Sequence, residues 1–386
     1  MENFITSIYV EHCRNVKDLE IRLSDTQRQH LILTGKNGSG KTSLLYDIYN
    51  YLLPYTYDSN SDSVFSPLES KKIPKPNIKV EFPPVQGITT GEYYSKWVSG
   101  EFLLVYFEAS RPNLRTVLKT EKNMKKVELK QRYYLGEKAN KDFVQYLINL
   151  KSIKSFAQND NEIETVNNID KWFDNLETHL ANIFDIDKLK LDFDWKNQRL
   201  NIIIKDKKTF SFYELSDGYS AIIDIATELL LRMDAHNAKA YDLEGIVLID
   251  EIETHLHVSL QKKILPFLTS FFPKIQFIVT THSPFVLSSI RNATICDLET
   301  RTITTDLSAY SYSALVESYF NIDEFSEHVK NDINEYERLT MLFNPTDEDN
   351  EKLRFLRDYF AHAPKYLSKE LLLKLNQIEL NELLKS

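Results

Sequence analysis

Apolar and polar residues alternate with a period of two over Phe4–Val10, Leu19–Leu23 and His30–Leu33, which predicts three short strands at the start of the chain. The period then changes. From Ser43 the apolar positions Leu44, Leu45, Ile48 and Leu52 recur at helical spacing until Pro54 stops the run. The stretch 55–99 is rich in Pro, Ser and Asp and predicts an irregular excursion, whereas Phe102–Phe107 is a continuous apolar run, the mark of a buried strand. Residues 113–185 are polar and mainly helical in pattern, with Trp172, Phe173, Leu176 and Leu180 at helical spacing, and Asp192–Ile204 alternates as a hairpin. A helix over Tyr219–Met233 follows, then an apolar strand running from Gly245 into Asp250, an amphipathic helix over Val258–Phe272 and a second apolar strand over Ile275–Thr280. Strands without a polar face must be covered on both sides, and a strand, helix, strand order joins them in parallel, so the pattern predicts an α/β fold built on a parallel sheet. Beyond Asp306 the spacing is helical to the end.

Composition sharpens this picture at three points. With 386 residues, 42% hydrophobic and 27% charged, the chain has the make-up of a globular protein of two or three domains rather than a disordered tail. Glycine is scarce. There are nine in total, and three of them fall at positions 35, 38 and 40, which marks a backbone that must enter conformations closed to other residues. The net charge of −9 argues against a surface that binds polyanions throughout, yet charge is segregated: residues 111–132 carry eight Lys/Arg against Glu121 and Glu128, while 323–351 carry ten acids against Lys330 and Arg338. Cys13 and Cys296 are too few and too far apart for a zinc site or a disulfide framework. No apolar run approaches the ~18 residues of a membrane span, and the N-terminus lacks a signal-peptide pattern, so a cytoplasmic protein with no membrane contact is expected.

Four motifs carry chemistry. Gly35-Lys36-Asn37-Gly38-Ser39-Gly40-Lys41-Thr42 fits G-x-x-x-x-G-K-[ST] between a predicted strand and a predicted helix. Such a loop turns successive N–H groups onto phosphate oxygens, with Lys41 reaching the β- and γ-phosphates and the Thr42 hydroxyl able to hold Mg²⁺. The apolar strand Gly245–Ile249 ends in Asp250 and Glu251, which places Asp250 to hold the Mg²⁺ shell and Glu251 to orient and deprotonate an attacking water. After the next strand comes Thr280-Thr281-His282-Ser283-Pro284; a His at this end of a parallel strand lies where ligands collect in open α/β sheets, and His282 could meet the γ-phosphate and the water. Finally, Glu214-Leu215-Ser216-Asp217-Gly218-Tyr219-Ser220 opens a helix, with Ser216 as its cap and Gly218 leaving N–H groups open to an anion. Taken alone this last motif is a plain helix start.

Together these residues resemble the ABC-type ATPase head of the SMC/RecF/OLD group, bacterial ATPases often labelled AAA family. The resemblance covers roughly residues 1–53, 100–111 and 190–305, and it implies a P-loop NTPase fold, α/β with a mixed sheet, a helical arm insertion and a helical C-terminal extension. On that reading 1–55 is the N-terminal part of the head, 56–99 an irregular insertion, 100–111 a head strand, 112–190 a short helical arm or lid, 191–305 the rest of the head and 306–386 a helical C-terminal region. The resemblance makes Leu215–Ser220 the signature motif, here LSDGYS in place of LSGGQ; it makes Glu253–His257 the D-loop, rather than His255-x-His257 a metal pair, and His282 the switch histidine. It implies ATP hydrolysis with ATP and Mg²⁺ as cofactors. It also implies dimerisation or higher oligomerisation, in which ATP on Asn37, Gly38, Ser39, Gly40, Lys41, Thr42 and Ser43 of one chain is capped by Ser216, Asp217 and Gly218 of another. The catalytic set so read is Glu251, His282 and Lys41, and the metal set Thr42 and Asp250. One departure stands out. The strand Phe102–Phe107 should lead to a Q-loop glutamine, but Glu108-Ala109-Ser110-Arg111 follows, leaving Glu108 or Arg111 as candidates for contact with Mg²⁺ or phosphate.

The arm holds no sustained heptads, which excludes a long coiled-coil tether. No Asp-x-Asp follows a strand after Asp306, so an intrinsic nuclease is not expected. A head of this kind resembles the ATPase subunits of two-gene bacterial defence systems such as Septu and PARIS, in which a separate effector does the damage. The expected function is nucleotide-driven oligomerisation that controls a nuclease-like toxic partner during phage infection. The alternative is a RecF-like DNA-handling or repair ATPase with residues 111–132 along duplex DNA. A transporter subunit, with Tyr9 stacked on adenine, is a more distant reading.

Overall fold

The computed structural model describes residues 3–53, 76–83, 102–111, 127–130, 133, 137–194, 199–204, 209–235, 243–316, 327–342, 344–361, 375–378 and 380. Two compact units divide the chain, Met1–Tyr310 and Ser311–Ser386.

The larger unit is built on a six-stranded mixed sheet in the order β12-β11-β3-β10-β9-β5, where β3 is His30–Thr34, β5 Phe102–Phe107, β9 Glu244–Ile249, β10 Ile275–Thr280, β11 Ala293–Asp297 and β12 Thr302–Thr305. Neighbours from β11 through β5 pair in parallel and β12 closes the edge antiparallel to β11. Every residue of β3 and β10 is buried, so both strands are covered on both faces, and β3 has none of the exposed polar side that its expected alternation implies.

A second sheet, β2-β1-β4, pairs β1 (Ser7–Cys13) antiparallel with both β2 (Val16–Arg22) and β4 (Asn77–Glu81). β4 lies inside the segment expected to be irregular; its alternation Ile78, Val80 turns two apolar side chains into the core while Lys79 and Glu81 stay exposed. β1 starts later than the alternation from Phe4 suggests, because the backbone of Ile5 bonds instead to the side chain of Gln276: Ile5 N donates to its Oε1 (2.7 Å) and its Nε2 donates to Ile5 O (3.0 Å). Helix α1 (Lys41–Leu52) lies between the two sheets, with Leu44, Leu45, Ile48 and Leu52 wholly buried in one core with Ile8, Val10, Leu31, Leu33 and Ile278. Burying four such side chains contributes about 6–12 kcal/mol against conformational entropy.

The polar stretch resolves into α2 (Phe143–Asn159) and α3 (Ile163–Phe184), a helical pair followed by the three-stranded antiparallel sheet β6-β7-β8 (Leu189–Asp194, Arg199–Ile204, Phe210–Ser211). Helix α4 (Asp217–Asp234) and helix α5 (Val258–Phe271) then flank β9 in sequence. Helix α3 packs on α4 and α5: its His179 ring lies 4.1 Å from that of Phe271 on α5, and its Phe184 stacks on Tyr219 of α4 at 4.5 Å.

The smaller unit packs α6 (Glu327–Thr340) and α7 (Asp347–Ala361) around Ile333, Tyr336, Leu339, Leu356, Phe360, Leu375 and Ile378. No described helix is long and apolar enough to cross a membrane.

Candidate functional site

The phosphate loop joins β3 to α1, and its three glycines adopt positive φ: Gly35 +127°, Gly38 +83° and Gly40 +103°, the last at the N-cap of α1. Those angles belong to glycine, which explains why a glycine-poor chain concentrates them here. Lys41 is buried, and its Nζ donates to the carbonyls of Gly35 (2.8 Å) and Lys36 (3.0 Å) across the loop. Burial pulls its pKa below the usual lysine value, while Glu251, Glu253, Asp250 and Asp297 favour the charged form. Asn15 Nδ2 donates to the Gly38 carbonyl (3.1 Å), Glu299 pairs with Lys36 (2.7 Å), and the Ser39 hydroxyl is buried with no hydrogen-bond partner among the described residues. A loop of three positive-φ glycines at a helix N-terminus, with a buried ammonium and an orphaned hydroxyl, fits the triphosphate of a nucleotide.

β9 delivers Asp250 and Glu251 to this loop. Asp250 is buried, and its Oδ1 accepts from Thr42 Oγ1 (3.2 Å) and from Thr280 Oγ1 (2.6 Å). A hydroxyl and a carboxylate oxygen side by side are hard donors that suit Mg²⁺, which takes few protein ligands and completes its shell with water and phosphate. Glu251 has φ +44°, a left-handed conformation that costs a residue with a side chain about 1–3 kcal/mol. Three hydrogen bonds hold its backbone: Glu251 N donates to Thr280 Oγ1 (2.7 Å), and Glu251 O accepts from Thr254 N (3.0 Å) and from Arg111 Nη2 (3.1 Å).

Thr280 and Arg111 hold the catalytic turn in ways the sequence does not announce. Thr280 stood in the His282 motif without a role, and only its neighbours reveal one. Arg111 was a candidate for touching Mg²⁺ or phosphate, and the structure corrects this: the guanidinium is buried beneath the turn, donating from Nη1 to Asp250 O (2.8 Å) and Glu108 O (3.3 Å) and from Nη2 to Glu251 O. The Glu108 side chain is exposed.

His282 follows β10, and its N–H donates to Glu253 Oε1 (2.5 Å), which links it to the loop after Glu251. Burial lowers the imidazole pKa and the Lys41 ammonium pushes the same way, against Glu253, Glu251 and Asp250, so the ring is mainly neutral at pH 7 and can donate from one nitrogen. His257 lies at the N-cap of α5, with Nδ1 3.1 Å from Ser259 Oγ.

Ser216 and Asp217 are exposed at the start of α4. The expected cap is not made by the Ser216 side chain, which forms no capping hydrogen bond; the helix starts from its carbonyl, which accepts from Ser220 N (2.9 Å). Gly218 is required for packing: a Cβ there would stand 2.8 Å from Leu260 Cδ1 and 3.4 Å from His255 O, so its absence lets α4 close on α5 and on the Glu253–His257 loop. Gly245 is tighter still, with Leu103 O only 2.4 Å from where a Cβ would be. Both free thiols are buried, which pushes each up to about 12 and leaves them unreactive at neutral pH. The basic strip 111–132 lies outside the described residues except for Arg111 and 127–130.

The chain matches over residues 52–288 the family described as "AAA domain, putative AbiEii toxin, Type IV TA system". Among named proteins it is similar to the Septu protein PtuA of Bacillus mycoides (strain KBAB4), 26% identical over 75% of this chain and 39% of that one. It is also similar to the Retron Ec83 probable ATPase of Escherichia coli, 44% identical over 24% of this chain and 18% of that one, and to the Retron Vc95 probable ATPase of Vibrio cholerae serotype O1 biovar El Tor, 35% identical over 29% and 22%. The chain thus spans well under half the length of these relatives. Among solved structures, the SMC head domain from Thermotoga maritima aligns with a TM-score of 0.38 at 12% identity, covering 76% of this chain and 94% of that one.

Proposed function

This chain belongs to the AAA-domain family it matches over residues 52–288, and we propose that it binds and hydrolyses ATP and uses the bound state to join two heads that control a separate effector. The observation that carries the reading is Asp250 Oδ1, shared by Thr42 from the phosphate loop and Thr280 from β10, with Glu251 held in a left-handed turn next to it. In this mechanism the N–H groups of Asn37–Ser43 and the Lys41 ammonium bind the phosphates. Thr42 and Asp250 hold Mg²⁺, which when bound offsets the phosphate charge. Glu251 orients a water and takes its proton, and neutral His282 donates a hydrogen bond toward the γ-phosphate. Ser216, Asp217 and Gly218 at the start of α4 cap the nucleotide of a second copy.

The role in anti-phage defence, with a nuclease-like partner, is supported by the similarity to a Septu protein and two retron ATPases. The test is Glu251→Gln with Mg²⁺ and ATP, read by phosphate release and light scattering. The variant is expected to bind ATP, release no phosphate and accumulate as dimers. Wild-type turnover by this variant would remove Glu251 as the base, and monomers under saturating ATP would remove the pairing. Duplex DNA that binds with a steep salt dependence and speeds hydrolysis would instead favour a DNA-handling ATPase, the reading that the +6 charge of residues 111–132 supports.

A further inference from the structure

We propose that Arg111 is the positioning residue of the catalytic turn, holding the backbone of Asp250 and Glu251 from below and coupling it to α4 and the root of the helical arm across a shared cavity. The proposal rests on the reading of Glu251 as the base. Three observations carry it.

The first is the clamp. A single planar guanidinium donates to the carbonyls of Asp250, whose carboxylate meets Thr42 of the phosphate loop, and of Glu251, and it does so where the Glu251 backbone is left-handed. A turn in that conformation relaxes unless its surroundings over-determine it, and two N–H donors fixed in one plane set both peptide planes at once. The second is placement. Arg111 is buried and borders the same cavity of about 200 Å³ as Lys138, Glu228 and Arg232, and the Asp224 carboxylate on α4 favours its charged form.

The third is what holds Asp224. Its carboxylate accepts from Lys138 Nζ (2.7 Å) and Asn140 Nδ2 (2.8 Å), and one turn later Glu228 accepts from the backbone N–H groups of Ala139 and Asn140, both at 3.0 Å. Residues 138–140 lead directly into α2. The arm root is therefore fastened to α4 by two fully buried acids, and α4 begins with Ser216, Asp217 and Gly218. The clamp and this fastening line that one cavity, so Arg111 is placed to relay a change at the arm root or α4 to the backbone of Glu251.

The experiment compares full-length wild type, Arg111→Lys, Arg111→Ala, Asp224→Asn and Glu251→Gln in steady-state ATP hydrolysis, with a melting temperature for each. An ammonium lacks the planar two-pronged fork that reaches Asp250 O, Glu108 O and Glu251 O from one group, so Arg111→Lys is expected to lower kcat about 100-fold with KM within about threefold, the mark of a misplaced catalytic group rather than lost substrate binding. Millimolar methylguanidinium is expected to restore part of the kcat of Arg111→Ala, and Asp224→Asn to lower kcat about tenfold at unchanged KM. Wild-type kcat in Arg111→Lys, or a loss carried by KM alone, overturns the proposal. If Arg111→Ala fails to fold, Arg111→Lys decides. The two readings separate on Glu251→Gln: an inactive Glu251→Gln beside a fully active Arg111→Lys sinks the Arg111 proposal alone, whereas a fully active Glu251→Gln removes the base and the clamp with it.

Discussion

Thr280→Val isolates a single hydroxyl that bonds both the Asp250 carboxylate and the Glu251 backbone. Thr280 is completely buried in β10, where its Oγ1 donates to Asp250 Oδ1 at 2.6 Å and accepts from Glu251 N at 2.7 Å. Valine keeps the branched shape and strand preference, so cavity and backbone terms nearly cancel and the hydroxyl is what changes. Losing a hydrogen bond to a charged acceptor costs about 1.5–3 kcal/mol, and leaving the Glu251 N–H without its partner about 1–3 kcal/mol more. Asp250 keeps its bond from Thr42, so a total of about 3–5 kcal/mol is expected, a large share of the ~5–15 kcal/mol that holds a domain folded. In urea, with a slope of ~3 kcal/mol/M, that moves the unfolding midpoint of the larger unit down by about 1 M or more. Thr280→Ser keeps the hydroxyl and loses one buried methyl, about 1 kcal/mol, and should keep most of the ATPase rate while Thr280→Val loses it. A Thr280→Val midpoint equal to wild type, or a Thr280→Ser variant as damaged as Thr280→Val, would refute the hydrogen-bond argument.

Other perturbations follow from the same geometry. Lys41→Ala removes the buried ammonium at the phosphate loop and should abolish ATP binding in equilibrium titration, whereas Glu251→Gln should leave it intact; equal affinity in both would contradict the assignment of Lys41. Gly245→Ala forces a methyl to within 2.4 Å of the Leu103 carbonyl and 2.7 Å of its Cβ, so β5 and β9 must part; a loss of about 3 kcal/mol or more is expected in thermal unfolding, and a variant as stable as wild type would show that the strands are not in this register. His30 is buried, its Nδ1 accepts from Phe277 N (3.1 Å), and burial, aided by Arg28, lowers its pKa to about 4. The unfolded chain binds a proton here at pH ~6.5 and the folded one does not, so the neutral ring's contribution is complete above pH ~6.5 and is lost as pH falls toward 4, about 3 kcal/mol in all. His30→Gln should flatten that part of the stability–pH curve; an unchanged slope would mean that His30 titrates normally.

The parts of the site that could be read from the chain are those whose cause is local. Gly35, Gly38 and Gly40 each need positive φ, and Lys41 starts the helix that follows, so the loop announces itself within eight residues. The run Ile246–Ile249 is apolar because both faces of β9 are covered, and its end at Asp250 is visible for the same reason. Gly218 was legible as unusual, and the structure adds a constraint that no local pattern shows: Leu260 Cδ1 and His255 O lie close to where a Cβ would stand. The β11–β12 hairpin and the strand β4 carry patterns too short to stand out until a partner strand is in place.

By itself, then, the order of residues determined the longer strands and helices, the phosphate loop and the paired carboxylates, because each depends on neighbours within one turn or one strand. Tertiary structure alone decided the short strands, the sheet order, the seating of α3 on α4 and α5, and the partners that hold the carboxylates. Asp250 meets Thr42 across 208 positions and Arg111 across 139, and no local pattern of polar and apolar residues encodes a contact made at that distance.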